Sequence, residues 1–186
     1  MAETLKTYVD KFEHSEPTNV RTDIKRNFLA HYVNVGTTEA KEWEILGYKV
    51  EEASVEFNWN EEKVTDITGI TYSSVTKSEP EMSLDGYIIN TTSKFLKTLS
   101  SIAIRNAYEE FGNFEILTVY WWLKDKDDGY LAKIEKDCTI KPDSIGGQDY
   151  ARITPTISFS NNATFGTAKK DTTDSKKVVF TERPTT

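Results

Sequence analysis

The residues best able to do chemistry in this chain are few and scattered. Two histidines, His14 and His31, are separated by a proline and a polar stretch, with neither the HxxxH nor the HExxH spacing that puts two ligands on one metal. A histidine satisfied in the core or at the surface is the expectation for each. The single cysteine, Cys138, is flanked by Asp137 on a strand-like segment, where a buried small hydrophobe is expected rather than a nucleophile. Gly146-Gly147-Gln148-Asp149 is too short to cradle a phosphate and reads as a turn. Acidic pairs recur at Glu51-Glu52, Glu61-Glu62, Glu109-Glu110 and Asp127-Asp128, and solvated turns and helix ends account for them. A hydrolase built on dispersed carboxylates stays open, because paired acids can come from distant strands. Trp43, Trp59, Trp121 and Trp122 offer a carbohydrate platform, although Trp59 and Trp121 sit in apolar patterns that read as core. Trp121 and Trp122 are adjacent and must point to opposite faces of a strand, so at least one needs a cover from outside its own sheet. No catalytic residue, metal or cofactor is expected.

The elements that would carry these residues are mainly β. Phe28–Val35 reads as a strand, broken by Gly36-Thr37-Thr38 and resumed over Glu42–Val50. Val55, Phe57 and Trp59 alternate with Glu56 and Asn58, the period of a half-buried strand. Asn60-Glu61-Glu62 is expected to turn. The Thr-rich stretch Val64–Val75, with Gly69 inside it, has strand composition without an apolar face and predicts a long hairpin or projecting arm. The period changes once: Phe95, Leu99, Ile102 and Asn106, beside Leu96, Ala103, Ala107 and Phe111, predict a helix over about 92–111, with N-caps among Thr91, Thr92 and Ser93 and a stop at Gly112. Phe114–Leu123 is the most apolar run and reads as a central strand. A turn at Asp127-Asp128-Gly129 leads into Tyr130–Ile140, Pro142-Asp143 and Gly146-Gly147 form a loop, and Tyr150–Phe159 returns as a strand. From Gly166 the chain reads as a polar tail with a last strand at Val178-Val179-Phe180. At the other end, Leu5, Tyr8, Val9 and Phe12 form one amphipathic stripe, a short helix or arm closed by Pro17.

Composition narrows the function. The 186 residues suit a single domain, 1–186, carrying an N-terminal arm (1–19) and a polar C-terminal tail (166–186). Hydrophobic residues make up 37%, and the nine glycines still leave the chain below the roughly 45–50% of an average globular protein. Aromatics (nine Tyr, nine Phe, four Trp) supply enough bulk for a core. Twenty-three basic against 30 acidic residues give a net charge of −7, so a phosphate-gripping nucleic-acid binder is excluded. The N-terminal residues lack an apolar signal region and no run approaches 18 apolar residues, so a soluble protein made in a reducing cytoplasm is expected.

The order of signals in the first two thirds is more specific than any one of them. Thr22–Asn27 leads a strand, followed by Gly36–Glu39, Trp43–Gly47, Val55–Asn58, Val64–Gly69, Tyr72–Val75, Ser78–Pro80 and Gly86–Ile88. This series, over about residues 20–125, resembles the major tail tube protein of tailed bacteriophages and prophages of Gram-positive hosts, of the long non-contractile siphophage type. Tyr120-Trp121-Trp122 is not part of that pattern. The resemblance implies a β-sandwich or rolled β-barrel with one flanking α-helix. It implies hexameric rings stacked into a tube through which viral DNA passes without specific binding, in a virion tail assembled in the host cytoplasm. Implied partners are copies of the chain, a tape measure, a tail terminator and baseplate or distal tail proteins; no membrane is involved.

By position, the arm at 60–80 would bind a neighbouring ring through Val64, Asp66, Ile67, Thr68, Gly69, Ile70, Tyr72 and Lys77, with Trp122 as a further contact. An acidic lumen would repel DNA and reduce friction; its candidates are Glu51, Glu52, Glu56, Asp127, Glu135 and Asp137. The alternatives are the tube of a phage-derived bacteriocin or contractile tail, and, from another class, a carbohydrate-binding β-sandwich.

Overall fold

The computed structural model describes residues 12–14, 23–47, 50, 53–125, 129–171 and 177–183. The elements run β1 (Phe12–His14), β2 (Leu29–Asn34), β3 (Trp43–Ile45), β4 (Ala53–Glu56), β5 (Trp59–Thr65), β6 (Thr71–Ser78), β7 (Glu81–Leu84), β8 (Tyr87–Ile88), α1 (Lys94–Arg105), β9 (Phe114–Asp125), β10 (Tyr130–Gly146), β11 (Arg152–Ser158), β12 (Ala163–Lys170) and β13 (Val178–Glu182). The chain is mainly β with one flanking helix, as its sequence pattern requires.

Strand β9 is central, paired antiparallel with β2 on one side and β10 on the other. Its alternation divides two cores. Ile116 faces the larger one with Val33, Leu99, Ile140 and Ile157, while Leu117 and Val119 face a second one with Tyr32, Ile134 and Ala168. Strand β10 holds the layers together. Its first half pairs with β9 and β12, its second half with β11, and the ladder is interrupted between Glu135 and Cys138, where Asp137 takes a positive φ of 57°. A bulge bends a strand and raises its twist. Beyond this one the strand enters a second layer, continued through β11, β7 and β4. The first layer curls: its opposite edge strands β3 and β13 face a common groove of about 380 Å³ through Trp43 and Phe180.

Helix α1 seals the larger core with Phe95, Leu96 and Leu99, and buries Ile102 as well. Ser93 caps it, its hydroxyl accepting from Leu96 N–H at 2.9 Å. Glu44 of β3 supplies a second cap, its carboxylate accepting from the Lys94 and Phe95 N–H groups at 3.0 and 3.1 Å. A carboxylate at a helix N-terminus meets both orphan donors and the positive end of the dipole. The helix stops at Asn106, well before Gly112, because Asn106 adopts the left-handed conformation at φ 53° that a short polar side chain tolerates. A 3-10 turn at Tyr108–Glu110 uses the remainder of the expected segment.

Several expected boundaries move for local reasons. Asn60-Glu61-Glu62 is strand, not turn, and the reversal lies at Asp66–Ile70, with Gly69 at φ 83°. The run Val55–Trp59 is broken by Asn58 at φ 46°, which turns Phe57 and Trp59 outward; Trp59 is 63% exposed. Pro142-Asp143 lies inside β10 at a register shift, a position that tolerates a proline without an N–H. Gly166 begins no tail: it sits in β12, where an added Cβ would fall 2.2 Å from the Thr181 carbonyl of β13. Phe12 lies in strand β1, whose backbone pairs with the end of β9, rather than in a helix. Residues 1–11, and with them Leu5, Tyr8 and Val9, lie outside the described residues.

Candidate self-assembly interface

Strands β5 and β6 form a two-stranded sheet separate from the main one. Its stem is tied by cross-strand polar pairs. Thr65 and Thr71 share a hydrogen bond at 3.0 Å and the Ser73 hydroxyl donates to the Glu61 carboxylate, which also pairs along its own strand with Lys63 at 3.5 Å. The other side carries the Val64–Tyr72 pair. Cross-strand pairs of this kind contribute modestly, and an isolated hairpin is marginal in water.

The tip is more firmly organised. The Asp66 Oδ1 atom accepts from Thr68 N–H at 2.8 Å, from the Thr68 hydroxyl at 2.6 Å and from Ile70 N–H at 3.1 Å. Backbone bonds from Asp66 N–H to Ile70 O and from Gly69 N–H to Asp66 O close the same turn. These donors, the Thr68 hydroxyl first, hold the Asp66 carboxyl below its ordinary range and keep it ionised. Ile67 projects from this frame at 105% relative exposure, and Val64, Ile70, Tyr72 and Val75 are also more than half exposed. At the root, Phe57 and Trp59 stack at 5.9 Å, both exposed. The hairpin thus presents several apolar side chains to water on one polar frame. Lys77 belongs to β6, but its side chain lies outside the described residues.

Trp121 and Trp122 point to opposite faces. Trp121 packs edge-on to Tyr130 at 5.1 Å beneath the Lys170 ammonium, and Trp122 edge-on to Tyr120 at 5.2 Å. Both are half-buried. The chain therefore covers much of each ring itself.

The acidic candidates separate. Glu135 is removed from any surface: it is 1% exposed and paired with Lys133 at 2.8 Å. Inward alternation on β10, beside Leu131, places it there. Asp137 is exposed at the β10 bulge, where it accepts from Asn162 at 3.1 Å. Glu56 is exposed on β4. Glu51, Glu52 and Asp127 lie outside the described residues.

Register shows what sequence reading missed. Glu56 lies opposite Glu81, and Glu81 opposite Ser158; Ser54 lies opposite Ser83, and Ser83 opposite Thr156. The partners of these residues in sequence, Val55, Met82, Leu84 and Ile157, face the core. The second layer thus turns a polar face outward, with Glu56, Glu81 and Asp143 as its acids and Lys141 paired to Asp143 at 3.2 Å. Glu81 follows Pro80 and Asp143 follows Pro142, contexts that read as loops. Only the pairing reveals their common face.

Neither chemistry-bearing core residue builds a reactive site. His31 is buried, its Nδ1 3.1 Å from the Thr118 hydroxyl, and its Nε2 has no hydrogen-bond partner among the described residues. Burial, with the Arg26 and Lys133 charges adding to it, lowers its pKa to about 3, so the ring is neutral. Burial pushes the Cys138 thiol up to about 11. The thiol is therefore protonated, the unreactive form. Among the described residues no three His, Cys, Asp or Glu side chains gather in a metal-holding group, and no helix is long and apolar enough to cross a membrane.

No protein-family model and no curated protein matches this sequence. Solved structures do. The fold is similar to a chain in the virion of a native gene transfer agent particle, at a TM-score of 0.50 and 10% identity, covering 77% of this chain and 98% of that one. The likeness is one of fold. A chain from the extended sheath–tube complex of the extracellular contractile injection system PVC aligns at 0.47, with 10% identity and 80% and 94% coverage. A chain from the baseplate of the anti-feeding prophage aligns at 0.49, with 6% identity and 78% and 97% coverage.

Proposed function

We propose that this chain is a structural subunit of a phage-type tail tube. It assembles into hexameric rings, the rings stack through the β5–β6 hairpin, and viral DNA travels through the lumen without being bound. The observation that carries this reading is the hairpin itself: an ordered tip holding Ile67 fully in water, on a sheet that joins no other among the described residues. A compact binding module or enzyme has no use for it. The fold shared with a virion chain supports the same reading. The tube ends would meet a tape measure, a terminator and baseplate proteins, and the particle would be a virion tail or a phage-derived relative of one.

The lumen wall in this proposal is the polar face of β4, β7, β11 and the second half of β10. Its acids are Glu56, Glu81 and Asp143, with Asp137 near its border. Negative charge facing DNA lowers its residence on the wall, because phosphate contacts are what hold DNA to protein.

Negative-stain microscopy of concentrated purified protein tests the assembly. Rings or hollow tubes are expected. A monodisperse monomer whose Trp59 fluorescence is quenched by glycans would replace the proposal with a carbohydrate-binding reading, for which the exposed Phe57–Trp59 stack is the only platform among the described residues.

A further inference from the structure

The hairpin tip has a counterpart elsewhere on the chain. The outer side of α1 bounds an open groove of about 620 Å³, with Ile89 and Ile104 as apolar walls and Lys97, Ser100, Ser101 and Arg105 around them. Ile104 is 80% exposed, although the opposite helix face is fully buried. The Ser100 hydroxyl, buried at the groove, has no hydrogen-bond partner among the described residues. The groove is thus apolar at its walls and short of one polar partner, and its rim carries the Lys97 ammonium, the Arg105 guanidinium being held by Glu110 through two 2.8 Å bonds.

The tip is the complement of each feature. Ile67 and Ile70 are apolar and exposed, Asp66 is ionised, and beside them Thr68 and Gly69, whose N–H groups are spent on Asp66, bring carbonyl acceptors. The geometry points to the Ile67 tip of one copy seating in the α1 groove of a second copy, with Ile67 against Ile89 and Ile104 and Asp66 facing Lys97. Charge favours this occupant: Lys97 is the groove's cation outside the Arg105–Glu110 pair, and the tip brings the Asp66 carboxylate to the same place as its exposed isoleucines. Stoichiometry agrees, because every copy brings one tip and one groove. A contact between two different surfaces is heterologous and propagates from copy to copy, as a ring or stack requires. The inference rests on the tube reading and adds the acceptor surface that reading lacks.

Paired cysteines test it. Ile67→Cys and Ser101→Cys are introduced in separate full-length chains, reduced, mixed in equal amounts, assembled and oxidised. Val179→Cys, exposed on β13, replaces Ser101→Cys in a control mixture. Cys138 is buried and protonated and stays out of the exchange. A heterodisulfide between positions 67 and 101, at least about tenfold above the control, is expected by mass spectrometry and non-reducing electrophoresis. Tubes that form with no such excess would overturn the groove as acceptor and leave the tube reading standing. The crosslink in pairs that never grow into rings or tubes would support the docking and overturn the tube reading. No crosslink in the pair, with no rings or tubes from the unsubstituted chain either, would overturn both. A Lys97→Glu chain should lower the 67–101 crosslink several-fold, and Asp66→Lys in the partner should restore part of it; a crosslink unmoved by Lys97→Glu would remove the charge argument.

Discussion

The body of the molecule and its hairpin are both antiparallel β-structure, yet they solve opposite problems. In the body the central strands turn alternate residues into the two cores, and α1 closes what the sheets leave open. In the hairpin no face is buried among the described residues, and order comes from one carboxylate, one glycine and a few cross-strand pairs. The body is stable because it removes apolar surface from water. The hairpin is arranged so that apolar surface is still in water when the chain has finished folding. In the proposed tube, stability and assembly are lodged in different residues, and substitutions should separate them.

The largest effect is expected in the body. Phe95→Ala should cost about 3–5 kcal/mol by leaving a cavity between α1 and the sheets, read as a lower urea midpoint. Ile67→Ser should leave that midpoint unmoved while abolishing rings in micrographs. If both variants lost assembly and stability together, the division between the two regions would fail.

Acid offers a second separation. His31 is neutral in the fold and free to protonate when unfolded, so the unfolded state takes up the extra proton between its ordinary pKa near 6.5 and the folded value of about 3. Stability is then full above about pH 6.5 and declines as the pH falls towards 3, by a few kcal/mol at most. Urea melts at pH 7 and pH 4 should differ accordingly, and His31→Gln should flatten that difference.

A smaller change tests the edge of the body. Gly166→Ala places a Cβ against the Thr181 carbonyl and the Phe180 ring, forcing β13 to shift. Overpacking of this kind costs about 1–3 kcal/mol, seen as a lower melting temperature and faster amide exchange in β12 and β13. The smallest effect on stability belongs to Asp66→Ala. The melting temperature should hold, while the concentration at which tubes first appear by light scattering should rise about tenfold; an unchanged threshold would show that the preformed tip is not needed.

Much of this was legible from residue order. The period change at Phe95–Ile102 announced the helix, the apolar run at Phe114–Leu123 the central strand, and the Thr-rich stretch around Gly69 the projecting hairpin. Boundaries failed where a single backbone angle outweighed composition. Asn58 and Asn106 take positive φ and end their elements early. Trp59 illustrates the consequence: its alternation promised a core position, and one left-handed residue before it turned the ring into water.

The site was less legible, since shared faces depend on register. Glu135 looked as available as Asp137, yet the bulge between them sends one inside and leaves the other at the surface. The acidic face of Glu56, Glu81 and Asp143 unites residues from three strands that no local pattern connects. Periodicity and turn chemistry are local properties, carried by a few neighbouring residues, so element type and the exposed character of the hairpin followed from the chain alone. Which strands pair, where β10 crosses between layers, and which acids share a surface follow from long-range packing, where burial of the two cores selects one register among many that the same local preferences would allow.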